Sequence, residues 1–328
     1  MRALAITGFN GMESVHIVDM GIPALNEGEV RIRVHAAGLN PADWKLAEGW
    51  LSPVFTPIFP YALGFDAAGV VEAVGAGVSG IVSGDRVVAK TAVGRGGAGG
   101  CAELVTVPGH LVSPLPDGLG FIEAAALPTA GITAWEALFC AGALAPGQSV
   151  LVNGGAGGTG SFAVSLGVMA GARVAATARV GNHGYLADLG AALPLDYRWA
   201  NWKRALWTMF PDGVDVVLDT VGQGVLTDPL DLVRDGGAFV TIGTLVPDEP
   251  RPTAAEAARR GIRMVTAMSN REREADQLHA LVARLAEGDL RLPAIETLPV
   301  REAANALARL REGHVRGKLV VDLEQGWA

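Results

Sequence analysis

Midway along the chain the apolar run Val150-Leu-Val152 meets Gly155-Ala-Gly157-Gly-Thr-Gly160, and a helix-forming stretch follows to about Ala170. Few folds accommodate a strand that passes into a helix through so many glycines. One glycine permits the sharp turn, a second lets the backbone approach a bound group, and a third lets helix and strand pack closely. The first N–H groups of such a helix have no partner within it, and with the helix dipole they attract phosphate. In this strand–turn–helix setting the pattern predicts a dinucleotide-binding βα unit. The same spacing at Gly75-Ala-Gly77-Val-Ser-Gly80 and Gly94-Arg-Gly96-Gly-Ala-Gly99 has no helix after it, so both read as turns.

The flanking sequence extends the unit. From about Phe121, strand and helix alternate: a strand at 173–177, helices near 184–189 and 199–210, and a strand at 214–218. A helix around 226–233 and strands at 238–242 and near 262–267 continue the series. Such alternation predicts an α/β, doubly wound parallel sheet. The first third differs. Short β-rich runs at 3–7, 29–35, 69–74, 86–89 and 102–107, separated by Gly/Pro turns, predict a small antiparallel, barrel-like unit. Within the second run Arg31, Arg33 and His35 share one face and Ile32 and Val34 the other. Two amphipathic helices (about 272–287 and 301–311) and a strand at 318–323 end the chain and are expected to return to the first unit. The expected division is a discontinuous β-rich domain of residues 1–123 and 267–328 around a nucleotide-binding domain of 124–266.

Composition removes several alternatives. Half of the 328 residues are apolar and 18% are charged, too apolar a mixture for a disordered chain. Acidic residues number 34 against 26 basic, with no Lys/Arg run, which argues against nucleic-acid and anionic-membrane surfaces. Cys101 and Cys140 are too few for a disulfide framework or an all-cysteine zinc site. Residues 137–172 carry no charge, yet Pro146 and several glycines interrupt them, so they read as buried globular chain rather than a membrane span. Glu13 and Asp19 fall where a secretory leader would be apolar, so a cytoplasmic protein is expected.

The choice of dinucleotide turns on the end of the second strand. An NAD site commonly places Asp or Glu there, about twenty residues beyond the glycines, to bind the ribose hydroxyls. Here the strand ends Ala175-Ala-Thr-Ala-Arg179, and the next acid, Asp188, falls inside the following helix. A carboxylate repels a 2′-phosphate, whereas an arginine pairs with it through charge-assisted hydrogen bonds. NADP(H) is therefore expected over NAD(H).

Several further segments occur in a telling order. They are Ala37-Gly-Leu-Asn-Pro-Ala-Asp43, Leu63-Gly-Phe-Asp-Ala-Ala-Gly-Val-Val71, Gly84-Asp-Arg-Val87 and Ala125-Ala-Leu-Pro-Thr-Ala-Gly-Ile-Thr-Ala-Trp135. After the glycine loop come Val214-Asp-Val-Val-Leu-Asp-Thr-Val-Gly222, Gly236-Gly-Ala-Phe-Val240 and Arg316-Gly-Lys-Leu-Val320. Over nearly its whole length the chain resembles the medium-chain dehydrogenase/reductase superfamily, and within it the zinc-independent quinone oxidoreductase group. The resemblance implies a GroES-like catalytic domain and a Rossmann domain. Zinc-dependent relatives place Cys, His and Cys around the metal, where this chain has Asn40, Phe65 and Thr129. The stretch matching their structural-zinc loop offers only Cys101. The resemblance thus implies no metal in either place.

It also implies roles for residues. Asn40, Thr129 and Thr133 are expected near the nicotinamide, with Asn40 and Thr133 as the catalytic hydrogen-bonding pair. Gly155, Gly157, Gly158, Thr159, Gly160, Arg179, Tyr197, Thr220, Val221, Gly243, Arg316 and Lys318 are expected to bind the rest of the cofactor. Trp44, Trp50, Tyr61 and Phe65 are expected to wall an apolar substrate pocket. Plainer readings stand beside these: Asn40 as a turn residue before Pro41, Asp43 as an exposed helix-start carboxylate or a residue orienting Asn40, and Lys318 as a strand-edge charge. Related enoyl reductases often carry a tyrosine soon after the Asn-Pro motif, and here Ala47-Glu-Gly-Trp50 stands in its place. The implied activity is NADPH-dependent hydride transfer to a small electron-poor acceptor, a quinone or an α,β-unsaturated carbonyl. An enoyl-thioester or biosynthetic enoyl reductase is one alternative, and an NADPH-binding protein with little turnover is another. The apolar segment Ile262-Arg-Met-Val-Thr-Ala267 is the expected edge of a homodimer.

Overall fold

The computed structural model describes residues 1–53, 55–93, 97–222, 224–243 and 251–327. Gly94 and Gly96 of the pattern 94–99 lie outside the described residues; Gly77 and Gly80 of the pattern 75–80 occupy turns with φ of 82° and 77°. The chain divides into two units, Met1–Ala130 with Arg271–Glu287 and Ala294–Ala328, and Gly131–Asn270 with Gly288–Pro293. Among the described residues no helix is long and apolar enough to cross a membrane.

The first unit starts with strands β1 (Arg2–Ile6), β2 (Val15–Asp19) and β3 (Glu29–Leu39), helix α1 (Pro41–Ala47) and strands β4 (Tyr61–Ala62) and β5 (Asp66–Val74). Strands β6 (Arg86–Lys90), β7 (Leu104–Pro108) and β8 (Val112–Pro114) and helix α2 (Phe121–Ala125) follow, and α3 (Pro128–Trp135) begins in this unit and ends in the second. Strand β3 shows how the sequence builds it. Val30, Ile32 and Val34 turn inward and are buried, while Arg31 and Arg33 both reach Glu72 of β5, at 2.6 and 2.7 Å. A register shift between Arg31 and Ile32 brings the one carboxylate within reach of both arginines. Beyond His35 the alternation ends, because Ala36, Ala37 and Leu39 are all buried.

The second unit carries β9 (Ser149–Asn153), α4 (Gly158–Met169), β10 (Arg173–Thr177), α5 (His183–Asp188), β11 (Leu193–Leu195), α6 (Trp202–Met209) and β12 (Val214–Asp219). Strand β13 (Val233–Ile242), helix α7 (Ala254–Arg259) and strand β14 (Arg263–Ala267) complete it. The six strands are parallel in the order β11-β10-β9-β12-β13-β14. The order reverses between β9 and β12, the place where open α/β sheets bind ligands at their strand C-termini. Every residue of β9 is buried, as expected of a central strand covered on both faces. Two local expectations are corrected here. The helix expected around 226–233 is only a 3₁₀ turn, Pro229–Leu232, and β13 starts at Val233. Asp228, left-handed at φ 44°, and Pro229 after it break any longer helix. Leu193–Leu195 is a strand that the sequence did not yield, short and interrupted by Pro194, tolerable because it lies at the sheet edge.

Helix α8 (Glu274–Ala286), strand β15 (Ile295–Pro299), helix α9 (Ala303–Glu312) and strand β16 (Lys318–Asp322) belong to the first unit. Its larger sheet runs β15-β16-β3-β5-β6-β8, with β7 on β3, so the tail joins the sheet begun nearly three hundred residues earlier. Leu319 and Val321 pack in one core with Ile32, Leu39, Leu63 and Val105. Full burial of one such aliphatic side chain is worth about 1.5–3 kcal/mol.

Candidate functional site

In the second unit β9 ends at Asn153, a turn follows, and α4 begins at Gly158 with Gly157 as its N-cap. Among the described residues no side chain caps that helix, which leaves its first-turn N–H donors for another partner. The glycines divide the work. A Cβ on Gly160 would lie 2.1 Å from the Gly154 carbonyl, and one on Gly155 would lie 2.8 Å from Ala176 Cβ. A Cβ on Gly157 would meet only one atom, at 3.5 Å, so the turn presents bare backbone to open space there. An uncapped helix start behind an open glycine backbone fits the pyrophosphate of a dinucleotide. Gly158 and Thr159 open the same helix, half-exposed.

The neighbouring strand ends surround this loop. At the end of β10 Arg179 is exposed, and its Nε lies 3.4 Å from the Tyr197 hydroxyl, which follows β11. Directly before Tyr197 is Asp196, an acid the sequence reading passed over because it follows the third strand and not the second. It is fully buried, accepts from the Val180 and Arg198 backbone N–H groups and pairs with the Arg198 guanidinium at 2.7 Å. Hydrogen bonding from Arg198 outweighs burial and holds this carboxyl far below the usual carboxylate range. At the end of β12 Thr220 donates to the Asn153 carbonyl at 2.7 Å, and Val221 is 38% exposed beside it. Gly243, exposed just past β13, lies next to Met268. Thr133 sits half-buried on the part of α3 that belongs to this unit.

The first unit holds a second constellation, centred on Asp66. Its Oδ2 accepts from Asn40 Nδ2 at 2.8 Å, and its Oδ1 accepts from the Thr129 N–H at 2.8 Å and the Thr129 hydroxyl at 2.6 Å. Lys318 Nζ donates to Asn40 Oδ1 at 2.7 Å and to the Leu39 carbonyl at 3.0 Å, and stands 3.4 Å from Asp66 Oδ2. Lys318 is 3% exposed, so the reading as a strand-edge charge is corrected: the ammonium points inward and is satisfied there. The reading of Asp43 as an exposed carboxylate is corrected too. It is fully buried and accepts from the Asn40 and Gly64 N–H groups at 2.9 and 2.8 Å. Burial pushes its carboxyl up to about 7; the two backbone bonds pull against this, and Asp66 adds to it. Cys101 is buried as well, its thiol raised by burial and by both aspartates.

Asn40, Thr129 and Lys318 are thus brought together around an acid that sequence reasoning quoted in a motif but did not single out. A buried Asp flanked by Gly-Phe and a run of small residues was the available signal. Both Asn40 amide hydrogens are engaged, by Gly38 and Asp66, and Oδ1 takes Lys318. The aromatic residues pack among themselves and on the core. Trp44 and Trp50 make an edge contact at 5.1 Å with Lys45 Nζ over both rings. Trp44 is buried, and among the described residues its Nε1–H has no partner. Tyr61 is in the hydrophobic core and donates to the Gly97 carbonyl, and Phe65 packs against that core. Arg316 is exposed in the turn before β16.

Residues 26–117 match the alcohol dehydrogenase GroES-like domain, and residues 189–321 match the zinc-binding dehydrogenase family. The chain is 38% identical over 255 residues to a 2-methylene-furan-3-one reductase from Solanum lycopersicum, a match covering 75% of this chain but only 63% of that protein. It is 32% identical to a quinone oxidoreductase of Lama guanicoe over 99% of this chain and 98% of the relative. The solved structure of the quinone oxidoreductase from Coxiella burnetii superposes with a TM-score of 0.81 at 31% identity, covering 98% of this chain and 99% of that one. With a GroES-like unit, a Rossmann unit and no zinc-ligand residue types at 40, 65 and 129, the chain belongs to the zinc-independent, quinone oxidoreductase-like group of the medium-chain dehydrogenase/reductase superfamily, a family of nicotinamide-dependent oxidoreductases.

Proposed function

We propose that this protein is an NADPH-dependent reductase that delivers hydride, without zinc, to a quinone or an α,β-unsaturated carbonyl compound. The observation that carries the nucleotide choice is at the ends of β10 and β11. Arg179 is exposed beside the Tyr197 hydroxyl, and the neighbouring acid Asp196 is already paired with Arg198. A 2′-phosphate there meets a guanidinium and a phenol and no unpaired carboxylate. The bound nicotinamide supplies the hydride; the chain supplies anchoring and orientation. The loop and α4 N–H groups hold the pyrophosphate, and Thr220, Val221 and Gly243 follow strands whose C-terminal ends share that edge of the sheet.

Asn40 and Thr133 are the proposed hydrogen-bonding groups near the reacting atoms, with Lys318 holding Asn40 directly, Thr129 holding it through Asp66, and Arg316 in the cofactor groove. With both amide hydrogens of Asn40 engaged, its remaining capacity is as an acceptor. Electron-poor acceptors need little acid catalysis, because the negative charge spreads onto oxygen and water delivers the proton. The missing phenol after Ala47 is consistent with that chemistry. Trp44, Trp50, Tyr61 and Phe65 are the proposed apolar wall, where the Trp44 N–H offers a donor. The names of the Solanum lycopersicum and Lama guanicoe relatives, one a 2-methylene-furan-3-one reductase and one a quinone oxidoreductase, support both acceptor classes.

The test is an anaerobic reaction of nicotinamide-deuterated NADPH with quinones, enones and enoyl thioesters, followed by mass analysis. Deuterium fixed on carbon in a saturated product identifies an ene-reductase, and hydroquinone without retained deuterium identifies a quinone reductase. Tight NADPH binding with no acceptor reduced points instead to a binding protein with little turnover. Arg179→Ala should raise the KM for NADPH roughly tenfold and leave that for NADH nearly unchanged; equal effects sink the 2′-phosphate assignment. We further propose a homodimer through β14, the terminal strand of the parallel sheet, half-exposed along its length. A monomeric mass by light scattering at micromolar concentration excludes it.

A further inference from the structure

Three strand C-termini meet at the reversal of the parallel sheet, and a single directed chain of hydrogen bonds joins them. The Gly154 N–H donates to Thr177 Oγ1 at 3.0 Å. That hydroxyl has one proton, and it donates onward to Asn153 Oδ1 at 2.6 Å. The orientation of the Asn153 amide is thereby fixed, and its Nδ2 donates to Asp219 Oδ1 at 2.8 Å. The same Asp219 oxygen accepts from the Val221 and Gly222 N–H groups at 3.0 and 3.1 Å. Thr177, Asn153 and Asp219 are 0%, 3% and 4% exposed, so water offers them little competition.

The chain ties together two backbone segments. On one side is the glycine loop: Thr177 holds the Gly154 N–H with its hydroxyl and the Gly155 N–H with its carbonyl, at 2.9 Å. On the other side is the turn 220–222 after β12. The two segments are in contact, because a Cβ on Gly154, which has φ 78°, would fall 2.6 Å from Val221 Cγ2 and 2.7 Å from Thr220 Oγ1. None of the three polar side chains is free to bind a ligand through the atoms used here, so their work is done on the backbone.

We infer that Thr177, Asn153 and Asp219 are positioning residues that lock the phosphate loop and the turn 220–222 into one preorganised nucleotide cradle. The inference rests on the dinucleotide reading of this loop and adds to it the residues that set the loop's geometry. A cradle already in its bound shape spares the nucleotide the ordering of loose loops. Since one carboxylate oxygen collects all three donors, a carboxamide oxygen in its place can keep the same acceptor geometry.

The experiment compares parent, Thr177→Val, Thr177→Ser, Asp219→Asn and Asp219→Ala in the full chain, by NADPH and NADH binding and by amide hydrogen exchange without nucleotide. Thr177→Val keeps the shape and strands the Gly154 N–H and Asn153 Oδ1, and should weaken the preferred nucleotide roughly tenfold. Thr177→Ser restores the hydroxyl and should recover most of the affinity. Asp219→Asn should bind within about threefold of the parent and Asp219→Ala about as poorly as Thr177→Val. In the nucleotide-free protein Thr177→Val should speed exchange at 154–160 and at 220–222 together, which a purely local packing defect would not do. Parental affinity in Thr177→Val, no rescue by serine, Asp219→Asn as weak as Asp219→Ala, or faster exchange in only one segment would each overturn the inference. A parent that binds neither nucleotide refutes the dinucleotide reading instead, and the exchange data still decide whether the two segments are locked.

Discussion

The two buried polar networks of this protein solve the same problem by different means. Around Asp66 the first unit gathers side chains from the N-cap of α1, β5, α3 and β16, and balances a carboxylate with the ammonium of Lys318. Around Asp219 the second unit uses no cation: one amide and two backbone N–H groups surround the oxygen. In the first network the Asn40 amide hydrogens, the Thr129 hydroxyl and the Lys318 ammonium are all engaged by buried protein partners. The second leaves its neighbouring loop open, with uncapped helix N–H groups beside it. One region therefore fixes a scaffold by charge pairing, and the other shapes backbone to receive a ligand.

The largest expected effect breaks the first network. Lys318→Met leaves the Asp66 charge buried without its counter-ion and strips a donor from Asn40 Oδ1 and from the Leu39 carbonyl. Removing one partner of a buried pair costs about 3–5 kcal/mol, which should appear as a fall in Tm of at least ~6 °C by calorimetry. Lys318→Met with Asp66→Asn should recover part of it, since the uncompensated charge is gone. If Lys318→Met costs no more than Thr177→Val, charge balance is not what distinguishes the two networks.

The pH dependence of stability sharpens the contrast, because a carboxyl raised by burial occurs in the first network, at Asp43. The folded protein holds that proton up to about 7, whereas the unfolded chain releases it near 3.8. Between those values folding takes up a proton, so this group's contribution to stability declines as pH rises and is flat above about 7. Asp43→Asn cannot titrate. It forfeits one backbone acceptor, yet the stability difference from the parent should shift in its favour from pH 4 to pH 8. Denaturation midpoints that run parallel for the two proteins across that range rule the account out.

The same contrast explains what was legible in the sequence. The phosphate loop, the strand before it and the helix after it are contiguous, so spacing alone located them, and the alternation beyond them supplied the parallel sheet. The Asp66 network joins residues 40, 66, 129 and 318, and nothing local to any of them announces the others. The plainer sequence readings of Asp43 and Lys318 as surface charges rested on where charged residues usually lie; pairing across 278 residues of chain buries Lys318 against Asn40. Asp196 was missed for a related reason. It enters the nucleotide end of the sheet from β11, a strand three residues long that carries a proline and has no sequence signature.

Within the second region two glycines separate packing from ligand approach. Gly160→Ala places a methyl 2.1 Å from the Gly154 carbonyl and must move the loop or the helix, for which overpacking costs of about 1–3 kcal/mol are usual. Gly157→Ala meets only one atom, at 3.5 Å, and its φ of −78° suits alanine. Its Tm should stay within about a degree of the parent's, while nucleotide affinity falls because the methyl stands where the pyrophosphate must approach. Equal losses of Tm in both variants would mean that Gly157 is a packing glycine like Gly160.

The smallest effect comes from a pair outside both networks and tests whether burial or distance ranks these interactions. Arg309 grips Glu296 with two bonds, Nη1 to Oε1 at 2.6 Å and Nη2 to Oε2 at 2.7 Å, far shorter than the 3.4 Å between Lys318 and Asp66. The Arg309 hydrogen bonds hold the Glu296 carboxyl below its usual range, but both side chains are about half exposed. Water and salt screen that pair, and exposed ion pairs contribute about 0–1 kcal/mol. Glu296→Gln should therefore lower Tm by roughly 2 °C or less, and the difference should shrink as salt is raised. Lys318→Met should hold its larger loss at the same ionic strengths, because solvent does not reach Asp66. If Glu296→Gln proves the costlier change, contact distance outranks burial, and the contrast between a charge-paired scaffold and a backbone cradle loses its energetic basis.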